Sequence, residues 1–201
     1  MSDDRPRTVG ILVFEEVEVL DFCGPFEVFA SAQDPQTGER AFDVSIVAET
    51  TGIVSCRGGL LVKPHTDFSN APQFDLIVAP GGYGTRAQKD NPALIDWIGR
   101  QHHGTEITIS VCTGLYLLAA AGLVDELPVT THWAAFDEAR EFFPDLQLVS
   151  DQRVIDTGNV VTSAGVSAGI DMALAMVERL LGRTAAEETA RDMEYDWQTR
   201  I

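Results

Sequence analysis

Short apolar runs rich in β-branched residues recur along this chain, and three of the four longest are followed, before the next run, by helical spacing of the apolar positions. The strand-like runs are residues 8–14 (TVGILVF), 42–48 (FDVSIVA), 74–79 (FDLIVA) and 106–111 (EITISV). Runs of this length and composition form strands buried on both faces. Helices are predicted from about residue 24, with Pro25 at the first position, and over 91–101, with Pro92 at the first position. Further helices are predicted over 115–121, 134–143, 167–181 and 184–194, and shorter strands over 146–150, 154–156 and 160–163. The segment 53–64 (IVSCRGGLLVKP) reads as a hairpin or tight turn around its two glycines. Strands alternating with helices build an α/β domain around a mostly parallel sheet. No repeat, low-complexity tract or long linker interrupts the alternation, so residues 1–201 are expected to form a single domain.

Charge narrows the range of partners. Lys and Arg number 14 against 31 Asp and Glu, a net charge of −17. Such a surface repels nucleic acid and anionic membranes unless a local basic patch intervenes, and the largest basic cluster is Arg5 with Arg7. No apolar run reaches the roughly 18 residues that span a bilayer, and the first ten residues lack the pattern of a secretory signal. A cytoplasmic protein is therefore expected. Cys23, Cys56 and Cys112 are an odd count without CxxC spacing, which suggests neither a disulfide framework nor a thiolate metal site. No metal-ligand set and no dinucleotide or phosphate-loop motif is present, so no cofactor is expected.

In open α/β sheets, sites collect at the carboxyl ends of strands. Three ends stand out. In ITISVCTGLYLLAAAGL a strand ends at Val111, Cys112 follows, and Thr113-Gly114 leads straight into a helix. This resembles a nucleophile elbow, where helix dipoles favour a thiolate and free backbone N–H groups favour a developing anion. That geometry predicts a Cys112 pKa below the ordinary thiol value; the competing reading is a buried structural cysteine. Pro80-Gly81-Gly82-Tyr83-Gly84 is either the other half of an anion site or simply a turn. Asp21, bracketed by Leu20 and Phe22, is either an acid whose pKa is raised by apolar company or a first-turn helix aspartate. His132 either lies near the cysteine or is a core histidine with a satisfied hydrogen bond.

These elements, in this order, resemble the PfpI/ThiJ superfamily, and the likeness spans nearly the whole chain. The blocks GILVFEEVEVLDFCGPFEVFA, IVAPGGYGT, ISVCTGLYLLAAAGL, VTTHWAAFDEA and VVTSAGVSAGIDMALAMVERLLG carry it. Within the superfamily the likeness is greatest to isocyanide hydratases and to the amidotransferase-like sensor domains of AraC-type regulators. The resemblance implies a flavodoxin-like three-layer sandwich, with helices on both faces of the central sheet. It implies Cys112 as the reactive cysteine, Asp21 as the acid contacting it, and the N–H groups of Gly82 and Thr113 as oxyanion-type donors. Tyr83 and His132 are then pocket residues. Thr113 stands where protease-like members carry histidine, so a peptidase dyad is not assembled.

The implied chemistry is hydration of an isocyanide to an N-substituted formamide through a thioimidate on Cys112. A glyoxalase- or deglycase-like hydrolase and a non-catalytic ligand sensor are the alternatives. The negative charge favours a neutral small-molecule substrate over an anionic one, and the resemblance implies a homodimer.

Overall fold

The computed structural model describes residues 5–197. In chain order the elements are β1 (Arg7–Leu12), α1 (Val19–Ser31), β2 (Phe42–Ala48), β3 (Val54–Ser55), β4 (Leu61–Val62), β5 (Thr66–Asp67), β6 (Leu76–Ala79), α2 (Thr85–Gln88), α3 (Pro92–His102), β7 (Ile107–Val111), α4 (Leu115–Ala120), β8 (Pro128–Val129), α5 (Phe136–Phe142), β9 (Gln147–Leu148), β10 (Val154–Asp156), β11 (Val160–Ser163), α6 (Ala168–Leu181) and α7 (Arg183–Asp192). Seven strands form the central sheet in the order β10-β11-β7-β6-β1-β2-β5. All neighbours are parallel except β10 with β11.

Chain order runs in opposite directions from the middle of this sheet. The crossover from β1 through α1 to β2 moves one way, and that from β6 through α3 to β7 moves the other. Since parallel crossovers are right-handed, the two helices must lie on opposite faces. Accordingly α1, α6 and α7 pack together in one layer and α2, α3 and α4 in the other. The strand order reverses between β1 and β6, and at such a switch point the loops diverge and leave a crevice at the carboxyl ends.

The central strands β6 and β7 are buried at every position, which their unbroken apolar and β-branched composition requires. Trp97 on α3 is stacked on Phe68 at 4.9 Å between ring centroids and meets Phe74 edge-on, closing one end of the core. Side chains of this size contribute about 1.5–3 kcal/mol each when removed from water. Helix α3 starts as predicted: Pro92 stands in the first turn and the Asn91 side chain accepts the Ala93 N–H at 3.1 Å.

Helix α1 departs from expectation. It begins at Val19, six residues before Pro25, so Pro25 sits inside the helix and Asp21 in its first turn. Glu18 is still extended, and the Glu18 N–H is bonded to Gly81 O, which ties the helix entry to the loop after β6. Pro25 lacks the N–H that would bond the Asp21 carbonyl, a cost the helix tolerates here because α6 packs against it. Three short elements escaped the pattern: β5, α2 and β8. Strand β9 pairs with β8 outside the central sheet, so the strand predicted near residues 146–150 adds nothing to the main layer. The segment 53–64 is a hairpin, with β3 antiparallel to β4.

Candidate active site

Strand β7 delivers Cys112 to the switch point in an unusual backbone state. Its φ is +56°, in the left-handed region that non-glycine residues rarely occupy. Two contacts hold it there: the Cys112 N–H donates to Ala164 O at 3.3 Å, and the Cys112 carbonyl accepts from Thr131 Oγ1 at 2.7 Å. Residues 112–114 form one tight turn that runs directly into α4. A strained residue clamped between a strand end and a helix start is the elbow geometry that the sequence pattern predicts.

Asp21 reaches the same point from α1 and is 0 % exposed. Its Oδ2 accepts the Gly81 N–H at 2.9 Å. Its Oδ1 is buried without a well-formed hydrogen bond, and the carboxyl's remaining polar neighbour is the Cys112 thiol. Only glycine fits at position 81, where a Cβ would lie 2.7 Å from both Asp21 Oδ2 and the Thr113 nitrogen.

Burial pushes the Asp21 carboxyl up to about 7; the Gly81 N–H pulls it back and the Glu18 charge adds to the rise. Burial and then the Asp21 charge push the Cys112 thiol up to about 12, against the smaller opposing pull of the Thr113 N–H and hydroxyl. The elbow therefore does not yield the lowered thiol pKa expected from helix dipoles. Desolvation at 7 % exposure, together with a carboxylate partner, outweighs the dipoles and N–H groups. Two anions this close cannot coexist cheaply, so near neutral pH the pair retains at least one proton. Cys56 and Cys23 are raised as well, both chiefly by burial.

The expected anion donors are also rearranged. Gly82 N–H donates to Thr113 Oγ1 at 3.1 Å and is thereby engaged, whereas the Thr113 N–H is turned to the sulfur. Tyr83 is not buried in the pocket: it is exposed at the rim, with the Arg57 guanidinium 4.6 Å from its ring centroid. His132 is half-buried, and its Nδ1 accepts the Ala134 N–H at 3.2 Å, which leaves a ring proton to Nε2. Trp133 lies against His132 with 5.5 Å between ring centroids and is 81 % exposed.

Gly165 also borders the Cys112 sulfur, at a position the sequence pattern above does not single out. A Cβ there would fall 2.2 Å from His132 Cδ2 and 3.0 Å from Cys112 Sγ, so its missing side chain is the space that the histidine ring and the sulfur share. The signal was available, because Ser163-Ala164-Gly165 is a fourth strand end, next to β7, and the rule that selected the other three applies to it. Among the described residues no group of three or more His, Cys, Asp and Glu is arranged to hold a metal. No helix among them is long and apolar enough to cross a membrane.

Comparison with known proteins bears on the family and the fold. A model of the DJ-1/PfpI family matches residues 7–179. The chain is 36 % identical over 188 residues to isonitrile hydratase of Pseudomonas putida, with 93 % of this chain and 78 % of that protein aligned. It is 26 % identical over 192 residues to the HTH-type transcriptional regulator GbdR of Pseudomonas aeruginosa, covering 96 % of this chain but 52 % of the regulator. It thus spans about half the regulator's length. A THiJ/PfpI family protein from Pseudomonas syringae superposes with a TM-score of 0.85 at 29 % identity, over 98 % of this chain and 78 % of that one. Drosophila melanogaster DJ-1beta superposes at 0.82 and 20 % identity, over 96 % and 100 % of the two chains, a likeness of fold alone.

Proposed function

The chain belongs to the DJ-1/PfpI family, and from that premise we propose that it is a cofactor-free enzyme that hydrates isocyanides at the Cys112–Asp21 pair. The observation that carries this reading is the juxtaposition of two buried groups, the Cys112 thiol and the Asp21 carboxyl, whose burial disfavours ionising both near neutral pH. Isocyanide hydration needs that inventory, because the terminal carbon must receive both a nucleophile and a proton.

In the first half, sulfur forms a bond to the terminal carbon and the proton held by the pair passes to the same carbon, giving the thioimidate R–N=CH–S on Cys112. In the second half, water adds to that carbon. One water proton goes to nitrogen and the other returns to the pair as the C–S bond breaks, releasing R–NH–CHO. The enzyme ends as it began. The Thr113 N–H and hydroxyl stabilise negative charge on sulfur as it forms and as it leaves, and Asp21 is the proton carrier. His132 and Gly165 shape the approach to the sulfur.

A net charge of −17 supports a neutral substrate. The likeness to isonitrile hydratase, which covers most of both proteins, supports the same choice. The likeness to GbdR favours a second reading, a ligand-binding domain without turnover. Purified protein given an alkyl isocyanide separates the two. The first reading expects formamide, lost in Cys112→Ala; tight binding without formamide in either protein supports the second.

The proposal extends to a homodimer. Ile53, Leu60 and Leu61 are exposed on the β3–β4 hairpin, and Leu20 is partly exposed on α1. The hairpin is held to the site's rim by the Arg57 N–H to Val17 O bond. A second copy packing on these side chains would border the pocket mouth.

A further inference from the structure

Trp133 takes no part in the reaction as described, and the core does not account for it. At 81 % exposed it is the most open of the large apolar side chains among the described residues. A single exposed ring is ordinary on a protein surface and by itself says nothing of function. Two features set this one apart: how firmly its backbone is held, and what its ring touches.

The turn Trp133–Ala135 is pinned from both sides. Upstream, the Thr130 N–H donates to Thr162 Oγ1 at 3.0 Å, and the Thr131 hydroxyl donates to the carbonyl of Cys112 itself at 2.7 Å. Within the turn, the His132 carbonyl accepts the Ala135 N–H at 2.8 Å and His132 Nδ1 accepts the Ala134 N–H. Downstream, the Tyr116 hydroxyl on α4 donates to Glu138 Oε2 on α5 at 2.8 Å and lies 3.3 Å from Ala135 O. Arg86 on α2 grips the same carboxylate with Nε and Nη2. The indole thus stands in water on a backbone tied to the nucleophile's own peptide and to three helices. With only two side-chain torsions left to order, binding against it costs little, as a preformed wall requires.

The contacts of the ring lead back to the sulfur. The Cβ position that Gly165 leaves open is 3.0 Å from Cys112 Sγ and 2.2 Å from His132 Cδ2, so thiol and imidazole border one gap. The indole comes next, 5.5 Å from the imidazole between centroids and tilted by 33°. Cys112 is buried, His132 half-buried and Trp133 exposed, so the three follow one another from the crevice to solvent. An isocyano group is linear. With its terminal carbon on the buried sulfur, its nitrogen and substituent extend outward, past the imidazole and onto the indole.

We propose that Trp133 is the specificity-determining residue of this site: its exposed face receives the substituent on the isocyanide nitrogen and favours an uncharged aromatic group over a short alkyl one. Contact between two rings adds to area burial a term that a methyl group cannot supply. The inference rests on Cys112 as the reacting thiol of the proposed function and names the substrate class for that reading.

The test begins without turnover. Iodoacetamide and its N-benzyl derivative carry the same reactive carbon, and their rates of alkylation at Cys112 are followed by peptide mass spectrometry. The benzyl rate divided by the parent rate cancels any change in the thiolate fraction. This ratio should fall about three- to tenfold in Trp133→Ala and stay near wild type in Trp133→Phe, which restores a ring. With isocyanides, the benzyl-to-methyl ratio of kcat/KM should fall by the same factor in Trp133→Ala, through KM and not kcat. Light scattering should give Trp133→Ala the same mass as wild type.

An unchanged or raised labelling ratio in Trp133→Ala would overturn the proposal, as would Trp133→Phe behaving like Trp133→Ala. A lower mass for Trp133→Ala would overturn it by assigning the ring to a subunit contact. The expected labelling ratios in a protein that forms no formamide would overturn the hydratase reading and leave Trp133 as the wall of the thiol site. Formamide production with an unchanged labelling ratio would do the reverse.

Discussion

Replacing Asp21 by asparagine should move thiol reactivity and turnover in opposite directions. Asparagine keeps the shape and an acceptor for the Gly81 N–H but holds no charge and carries no titratable proton. Two unit charges about 4 Å apart in surroundings of effective dielectric about 20 repel by about 4 kcal/mol, close to three pKa units. Even a third of that repulsion is worth about tenfold in thiolate population. Burial continues to hold the Cys112 thiol above its ordinary value, but the carboxylate's contribution is gone. Above pH 7, where Asp21 is ionised in the wild type, alkylation of Cys112 by iodoacetamide should therefore be at least about tenfold faster in Asp21→Asn. Hydration of an alkyl isocyanide should meanwhile fall about 100-fold or more, because the proton carrier is missing. Peptide mass spectrometry and formamide production measure the two sides. If labelling slows together with turnover, the carboxylate does not hold the thiol protonated, and the shared-proton account of the pair is wrong.

Other consequences follow from the same geometry. The rate constant kcat/KM should rise with pH through about 7, as the pair loses the first of its two protons, and then level off; a profile falling across that range would contradict the assignment. Asp21 is raised in the folded state above its unfolded value, so the folded protein binds the extra proton and stability falls as pH climbs from about 4 to about 7. Asp21→Asn should then melt about 4–8 °C higher than wild type at pH 8, corresponding to about 2 kcal/mol, with the gap closing near pH 4 in calorimetric scans. Gly165→Ala should cut kcat/KM at least about tenfold and cost about 1–3 kcal/mol in denaturant titrations, since its methyl group would overlap the His132 ring; unchanged kinetics would remove Gly165 from the site. Leu61→Arg, at a side chain 64 % exposed in the single chain, should convert a dimer to monomer in light scattering, and an unaltered mass would place the interface elsewhere.

Much of this fold was legible in the sequence because its strongest signals are long-range in effect but local in pattern. The unbroken apolar runs of β6 and β7 could only be central strands, and Pro92 with Asn91 marked the start of α3. The start of α1 differs from the sequence expectation because proline at a first turn is the commoner case, whereas here tertiary packing against α6 carries Pro25 inside the helix. Two-residue strands such as β5 and β8 have no periodicity to read; their partners define them.

At the site, Cys112 and Asp21 were identifiable from their neighbours, but the sign of the thiol shift was not. Helix dipoles are visible in sequence, whereas burial and the approach of a second acid are properties of the assembled crevice. Gly82 illustrates the same limit. Its N–H was a plausible anion donor until the Thr113 hydroxyl, 31 residues away in the chain, took it. Arg86 carried no motif at all, and its place emerges only from the convergence of α2, α4 and α5.

The central claim is that sulfur and proton add to the same carbon at Cys112. Wild-type protein mixed with an alkyl isocyanide and quenched in acid should show, by intact and peptide mass spectrometry, an adduct on Cys112 heavier by the full mass of the isocyanide, with formamide accumulating as the adduct decays. Cys112→Ala should give neither. Formamide released at an undiminished rate by Cys112→Ala, or an adduct confined to Cys23 or Cys56, would contradict the account.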